Sequence, residues 1–313
     1  MTAASWPAIP YDRFQTTGQS LHMWLQIVGK FRLLLTPWIN HSWHAVFYVN
    51  ERGLSTGPIP GDGVQYVGQF DFIDHRFELR SSTGQSIGFR LEPMPVAEFY
   101  RQFIGAVEGL GAPSNIHHAP NEVPEPVPFR DQTAPGAYDP MAAHDFWQAL
   151  IRIDAVFSHF RTSFLGKVSP SHFFWGSFDL AVTRFSGRSA PLHPGGFPAL
   201  PDPITQEAYS HEVSSAGFWP GGGGVDGACF YSYAYPVPAG FDTAKVEPAA
   251  AYFHESLGEF VLPYAAVREA DDPAAMLMAF LRSTYNAAAD LGDWDRDSLD
   301  APLGERRVPR AVT

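Results

Sequence analysis

The chain carries a single cysteine, Cys229, in 313 residues. That excludes an internal disulfide framework, and with no Cys-x-x-Cys pair there is no thiolate zinc signature, so a reducing compartment fits best. Charged residues are also scarce, at 17% against roughly 25% in an ordinary soluble domain. The balance is acidic, with a net charge of −12, and no basic run is long enough to follow a phosphate backbone, which argues against a nucleic-acid partner. No stretch of about 18 apolar residues is present to span a membrane, and residues 1–10 lack the basic-then-apolar pattern of a secretory leader. The expectation is a cytoplasmic protein, neither secreted nor membrane-bound, long enough to bury a core without covalent staples.

Aromatic surface is plentiful, with 25 Phe, 12 Tyr and 8 Trp to bury or to offer a ligand. Residues 21–35 (LHMWLQIVGKFRLLL) are apolar and proline-free, predicting a buried helix that stops before Pro37. Residues 42–90 switch to short aromatic and β-branched runs separated by Arg52-Gly53, Gly61-Asp62-Gly63 and Thr83-Gly84, the pattern of an antiparallel meander. Residues 95–110 return to helical spacing, with Gly111 as a terminator. Seven prolines and no apolar period between 112 and 140 predict a linker lying on a surface. The remainder repeats the plan: a helix over 144–164, strands over 172–185 and 228–235 with a Pro- and Gly-rich insertion between them, and a helix over 273–291.

The expected fold class is therefore α+β. Two related halves, 1–111 and 141–313, each run helix, mainly antiparallel strands, helix, and pack together across the 112–140 linker. Two local matches favour a duplication. FYRQFIGAVEGLG (99–111) and FLRSTYNAAADLG (280–292) share five of 13 positions. Gly29-Lys30 and Gly166-Lys167 each precede a His and Trp pair, His41 with Trp43 and His172 with Trp175.

Chemistry concentrates in residues 166–188 (GKVSPSHFFWGSFDLAVTRFSGR), which gather Lys167, His172, Trp175, Asp179, Arg184 and Arg188. A strand unbroken from His172 would put Phe173, Trp175, Ser177, Asp179 and Thr183 on one face, and His172, Phe174, Phe178, Leu180 and Arg184 on the other. The plainer reading is that Asp179 satisfies a partly buried charge by pairing with an arginine such as Arg188. On the first helix His22, Gln26 and Lys30 stand four apart. They form either a solvated face or a lid over the strands, where Lys30 and Arg32 would hold an anionic group.

The 12 histidines include no HExxH pair. His41 and His44 are three apart, on opposite faces of a strand, and His117 and His118 sit in the linker. A transition metal enters only if two histidines and a carboxylate converge from separate strands as a facial triad. Cys229 reads as packing rather than as a nucleophile, and there is no GxSxG elbow. The glycine run 221–224 precedes a strand, so it lacks the helix amides of a phosphate cradle and reads as a flexible loop. Tyr231, Tyr233 and Tyr235 alternate on one strand face, lining a ligand site or covering a sheet.

LHMWLQIVGK, NHSWHAVFYVNERGL, FDFIDH, SPSHFFWGSFDLAVTRFSGR, SAGFWPG and FYSYAYPVP, in this order, resemble a bacterial family catalogued only as a domain of unknown function. The resemblance implies one family-length module over nearly the whole chain, and it assigns no residue a catalytic role. The functional reading of the residues is an enzyme acting on a small polar or anionic metabolite at a pocket around 166–188. Asp179 or Glu212 would be the general base, His172 or His41 base or metal ligand, and Lys30, Arg184 and Arg188 the anion holders, with His22, Gln26, Lys167, Trp175, Tyr231 and Tyr233 lining the site. The alternatives are a non-catalytic small-molecule binder and an interaction protein with an aromatic patch, for instance a homodimer.

Overall fold

Helix α1 (Tyr11–Leu35) starts ten residues before the apolar segment suggests. Its added turns are polar because they receive another segment rather than water. Thr17 Oγ1 accepts from the Asp139 N–H at 2.9 Å and Ser20 Oγ from the Ala137 N–H at 3.3 Å. A meander follows: β1 (Val46–Val49), β2 (Gly53–Ser55), β3 (Ile59–Pro60), β4 (Gln65–Asp71), β5 (Arg76–Ser81) and β6 (Ser86–Arg90). Helix α2 (Val96–Gly109) then returns across it. Trp24 stacks on Phe99 at 5.0 Å and Phe31 meets Phe103 edge-on at 5.9 Å, so aromatic side chains lock α1 to α2. The structure, a computed structural model, describes residues 5–310 apart from 223, 224 and 226.

Helix α3 (Pro140–Arg161) begins earlier than apolar spacing indicates. The Asp139 carboxylate caps it by accepting from the Met141 and Ala142 N–H groups, and Pro140 occupies the first turn, where its missing N–H costs nothing. The linker therefore ends at 139. The second half continues with β7 (His172–Phe174), β8 (Asp179–Ser189), a short helix α4 (Asp202–Ala208) inside the insertion, β9 (His211–Trp219), β10 (Cys229–Tyr235), β11 (Tyr252–His254) and β12 (Glu259–Pro263). Helices α5 (Tyr264–Arg268), α6 (Pro273–Leu291) and α7 (Arg296–Leu299) close it. Helix α6 occupies the span expected of it, and Asp272 caps it as Asp139 caps α3.

Among the described residues, 12 strands form one antiparallel sheet in the order β11-β12-β10-β9-β8-β7-β1-β2-β4-β5-β6, with β3 on β4. Its middle is the β1–β7 pair, with Val46 opposite Phe174 and Phe47 opposite Phe173. From this pair the strands run outward on both sides, with β12 inserted between β10 and β11, which gives the α+β class its form here: one sheet, with α1 against β3, α2 against β6, α3 across β1 and β8, and α6 against β9 and β10. The halves also exchange contacts. Lys30 lies over Trp175 at 5.2 Å, and Lys167 lies over Trp43 at 5.1 Å. No helix among the described residues is long and apolar enough to cross a membrane.

The strand expected to run unbroken from His172 does not. Residues 175–178 turn, with Phe178 in the left-handed region at φ 60°, and β8 folds back on β7 so that Asp179 stands opposite Phe174. Phe178 turns inward against Phe146 and Phe173, and this aromatic contact holds the backbone in a conformation unfavourable for a bulky residue.

Candidate functional site

On the sheet face away from α3 and α6, alternate side chains of four strands line up by register. Ala181, Gly217, Tyr231 and Val261 form one row, and Thr183, Ser215 and Tyr233 the next. All of these but Gly217, which lies under the Tyr231 ring, floor a cavity of about 540 Å³ walled by Trp38, Trp43, Trp175, Trp219, Phe174 and Phe185. Gly217 is required for that floor, since a Cβ there would lie 2.3 Å from the Tyr231 ring. Gly217→Ala is expected to cost about 1–3 kcal/mol by overpacking and to push Tyr231 off its partner. Chemical denaturation together with the tyrosine ring signals in NMR would check this.

The roof is the unexpected part. The Pro-rich linker does not merely lie on a surface, because its Asn121-Glu122 pair lines the cavity alongside residues 197–209 of the insertion. The Glu122 N–H donates to Pro198 O at 2.9 Å and the Asn121 amide donates to Ala199 O, so the two proline-rich segments fasten to each other. The stripe on α1 anchors this roof. Gln26 donates to Asn121 O and accepts from its N–H, both at 2.8 Å, and Lys30 donates to Asn121 Oδ1. His22 Nε2 donates to Gly176 O at 2.7 Å. All of this polarity is spent inside the protein, so the stripe is not a solvated face. Gly176 in turn leaves room for the acid above it, because a Cβ there would sit 1.9 Å from Glu122 Oε1.

Three carboxyl groups reach this space: Asp179 at the start of β8, Glu122 in the roof and Glu259 at the start of β12. Asp179 is buried and accepts from Ser177 Oγ at 2.7 Å and from Tyr231 Oη. Burial raises its pKa against the lowering effect of those two hydroxyls. Burial also pushes Glu122 up to about 7, aided by the nearby Asp179 charge and opposed by Lys30. Glu259 reaches about 7 from burial and the same Asp179 charge. Lys30 is pushed down to about 8 by burial, with Glu122 opposing. Burial raises the phenols as well, Tyr233 to about 12, and Tyr233 shares a 2.8 Å hydrogen bond with Tyr209.

The structure brings Asp179, Trp175, Tyr231, Tyr233 and His41 to the cavity. His41 is fully committed, since Nδ1 donates to Ala208 O at 2.7 Å and Nε2 accepts from Lys167 at 2.6 Å. His172 lies behind the wall, 4.8 Å from Phe174 and 6.1 Å from Trp43, and does not line the cavity. Two further assignments are corrected by position. Glu212 pairs with Arg188 at 2.7 Å, and Arg188 also donates to Gly292 O and Asp293 O beyond α6. This ion pair is far from Asp179, so Arg188 is not its partner. Arg184 points to the opposite face, donating to Phe160 O at 2.6 Å and stacking 3.5 Å from the Phe160 ring.

Cys229 borders the cavity with its thiol pushed by burial to about 12, as packing and not nucleophilic chemistry requires. Tyr235 points out to Pro191 O. Part of the glycine run 221–224 falls outside the described residues. Among the described residues no three His, Cys, Asp or Glu side chains converge as a metal-ligand set, so the two-histidine triad does not assemble there. Sequence reasoning missed Glu122 and Glu259. The signal for Glu122 was a polar Asn-Glu pair inside a proline-rich run; Glu259 had none.

The family described as "Family of unknown function (DUF5996)" matches residues 6–301. No curated protein and no solved structure matches the chain.

Proposed function

The chain belongs to that family, and since the family's description carries no activity, we propose from geometry alone that the cavity is an active site for acid–base chemistry on a small organic molecule. One observation carries the reading: Glu122, Asp179 and Glu259 share one aromatic-walled cavity in which burial and the Asp179 charge push the Glu122 and Glu259 carboxyls up to about 7. Groups poised there are matched to general acid and general base work. Asp179 sets their affinity for protons through its charge, and Tyr231, donating to Asp179, is the group through which a proton reaches it. A duplication of one helix–meander–helix unit is supported by the central β1–β7 pair and the Lys30–Trp175 and Lys167–Trp43 exchange. A reducing, cytoplasmic setting fits the buried thiol.

The test is to incubate the protein, and separately its Asp179→Asn variant, with fractionated small-molecule extracts and follow composition by mass spectrometry. At least one compound is expected to be consumed by the native chain and spared by the variant. Retention of a compound without change would replace catalysis by binding, and retention of none would overturn the site itself.

A further inference from the structure

We infer that the molecule this cavity takes is an organic cation, an ammonium group on a small apolar body, an inference that rests on reading the cavity as a small-molecule site. The census of charge decides the sign. Among the described residues lining the cavity there are three carboxylates and no lysine or arginine. Its two histidines, His41 and His44, are both held toward the neutral form by burial. The cations assigned by sequence to hold an anion do not line the cavity: Lys30 is engaged with Asn121 Oδ1 on the α1 side of the roof, Arg184 lies on the far face of the sheet, and Arg188 pairs with Glu212. Among the described lining residues an anionic ligand would meet carboxyl groups and no cationic side chain.

A cation meets groups that lack what it brings. Asp179 has two hydroxyl donors, whereas the Glu122 and Glu259 carboxylates receive no hydrogen bond from any described residue. His44 adds an independent sign. It is 1% exposed and lines the cavity, and its Nδ1 lies 3.1 Å from Ile39 O and 3.2 Å from the Ile39 N–H, while Nε2 has no partner among the described residues. Whichever tautomer the Ile39 backbone selects, Nε2 is left as an unpartnered polar atom of a residue in the cavity wall. The aromatic walls suit the same ligand, since Trp43 and Trp175 already take the ammonium groups of Lys167 and Lys30 at 5.1 and 5.2 Å.

Proton linkage follows. Glu122 faces Lys30 from α1 and Asp179 from β8, and Glu259 faces Asp179 and the phenols of Tyr209, Tyr231 and Tyr233. In the free protein burial keeps both glutamates partly protonated at neutral pH, so a permanent cation binds more tightly as pH rises and displaces protons.

The experiment measures binding to the intact chain, by calorimetry, of choline, its uncharged isostere 3,3-dimethylbutan-1-ol and the anion 3,3-dimethylbutanoate. Choline is expected to bind at least ~10-fold tighter than the alcohol. Its affinity should rise ~10-fold between about pH 6 and pH 8, a rise that Glu259→Gln reduces while the alcohol's affinity stays flat. Alcohol or butanoate binding as tightly as choline at about pH 8 would overturn the cation and leave the small-molecule reading standing. If none of the three binds at about 10 mM, the cation inference also fails, and turnover in the extract experiment decides the acid–base reading separately.

Discussion

Asp179→Asn is expected to lower turnover of the cavity's substrate by roughly 10²- to 10⁴-fold, the range lost when a positioned acid or base is removed, while making the protein more stable. The two effects have one cause. Asp179 is a buried carboxyl whose pKa is raised by burial, so its ionised form is less favourable in the fold than in the unfolded chain. The sign is that of a group whose stability contribution is lost as pH rises through the folded pKa, because the unfolded chain ionises first. Asparagine keeps one oxygen to accept from Ser177 or Tyr231, turns its N–H2 toward the other hydroxyl, which must then accept, and removes the cost of ionisation. A gain in stability is expected at pH 8 that shrinks as pH falls and vanishes below the unfolded carboxyl's value near 3.8. The substitution also withdraws the negative charge that raises Glu122 and Glu259, so the acid limb of residual activity moves to lower pH. Turnover, urea midpoints at two pH values and the pH profile check the three statements. Loss of stability together with loss of activity would mark Asp179 as a packing residue.

The same duality explains which parts of this molecule could be read from its sequence. Long elements with a period or a cap were legible: α6 runs over the expected span, and the meander of β1 to β6 follows the glycine-marked turns. What failed were places where polarity serves another segment. Residues 11–20 of α1 look like a polar approach to a helix because Thr17 and Ser20 accept hydrogen bonds from the linker's end. The linker looks like surface because its apolar residues are few, yet Gln26 and Lys30 seat Asn121 and so carry Glu122 over the sheet. Asp179 was legible as a chemical residue. Its setting was not, because the turn at 175–178 reverses the chain and sets Asp179 opposite Phe174. Arg184 and Arg188 show the converse error. Neighbours in sequence on one strand, they serve the opposite face and the sheet's outer margin.

His172, chemically attractive in the sequence, is expected to act on stability and not on catalysis. Its ring is 1% exposed within an aromatic enclosure, Nδ1 has no partner among the described residues, and burial with the charges of Arg32 and Arg161 pushes its pKa down to about 3. A histidine depressed in this way binds its proton only when the chain unfolds. Its contribution is present above the unfolded value near 6.5 and is lost as pH falls toward 3, since the unfolded state then holds the extra proton. Between pH 6 and pH 4 this one group should remove about 2.5 kcal/mol of unfolding free energy from the native chain. His172→Gln keeps a similar volume without the titration. Whatever it costs at pH 7, its stability should fall less steeply over that interval, by about the same 2.5 kcal/mol. Glu122 and Glu259 contribute a slope of opposite sign, but both proteins share it and it cancels in the comparison. Urea unfolding of both proteins at pH 4, 5 and 6 measures the difference. Parallel curves would mean that the enclosure opens to admit the proton, and would restore His172 as a group able to exchange with the cavity.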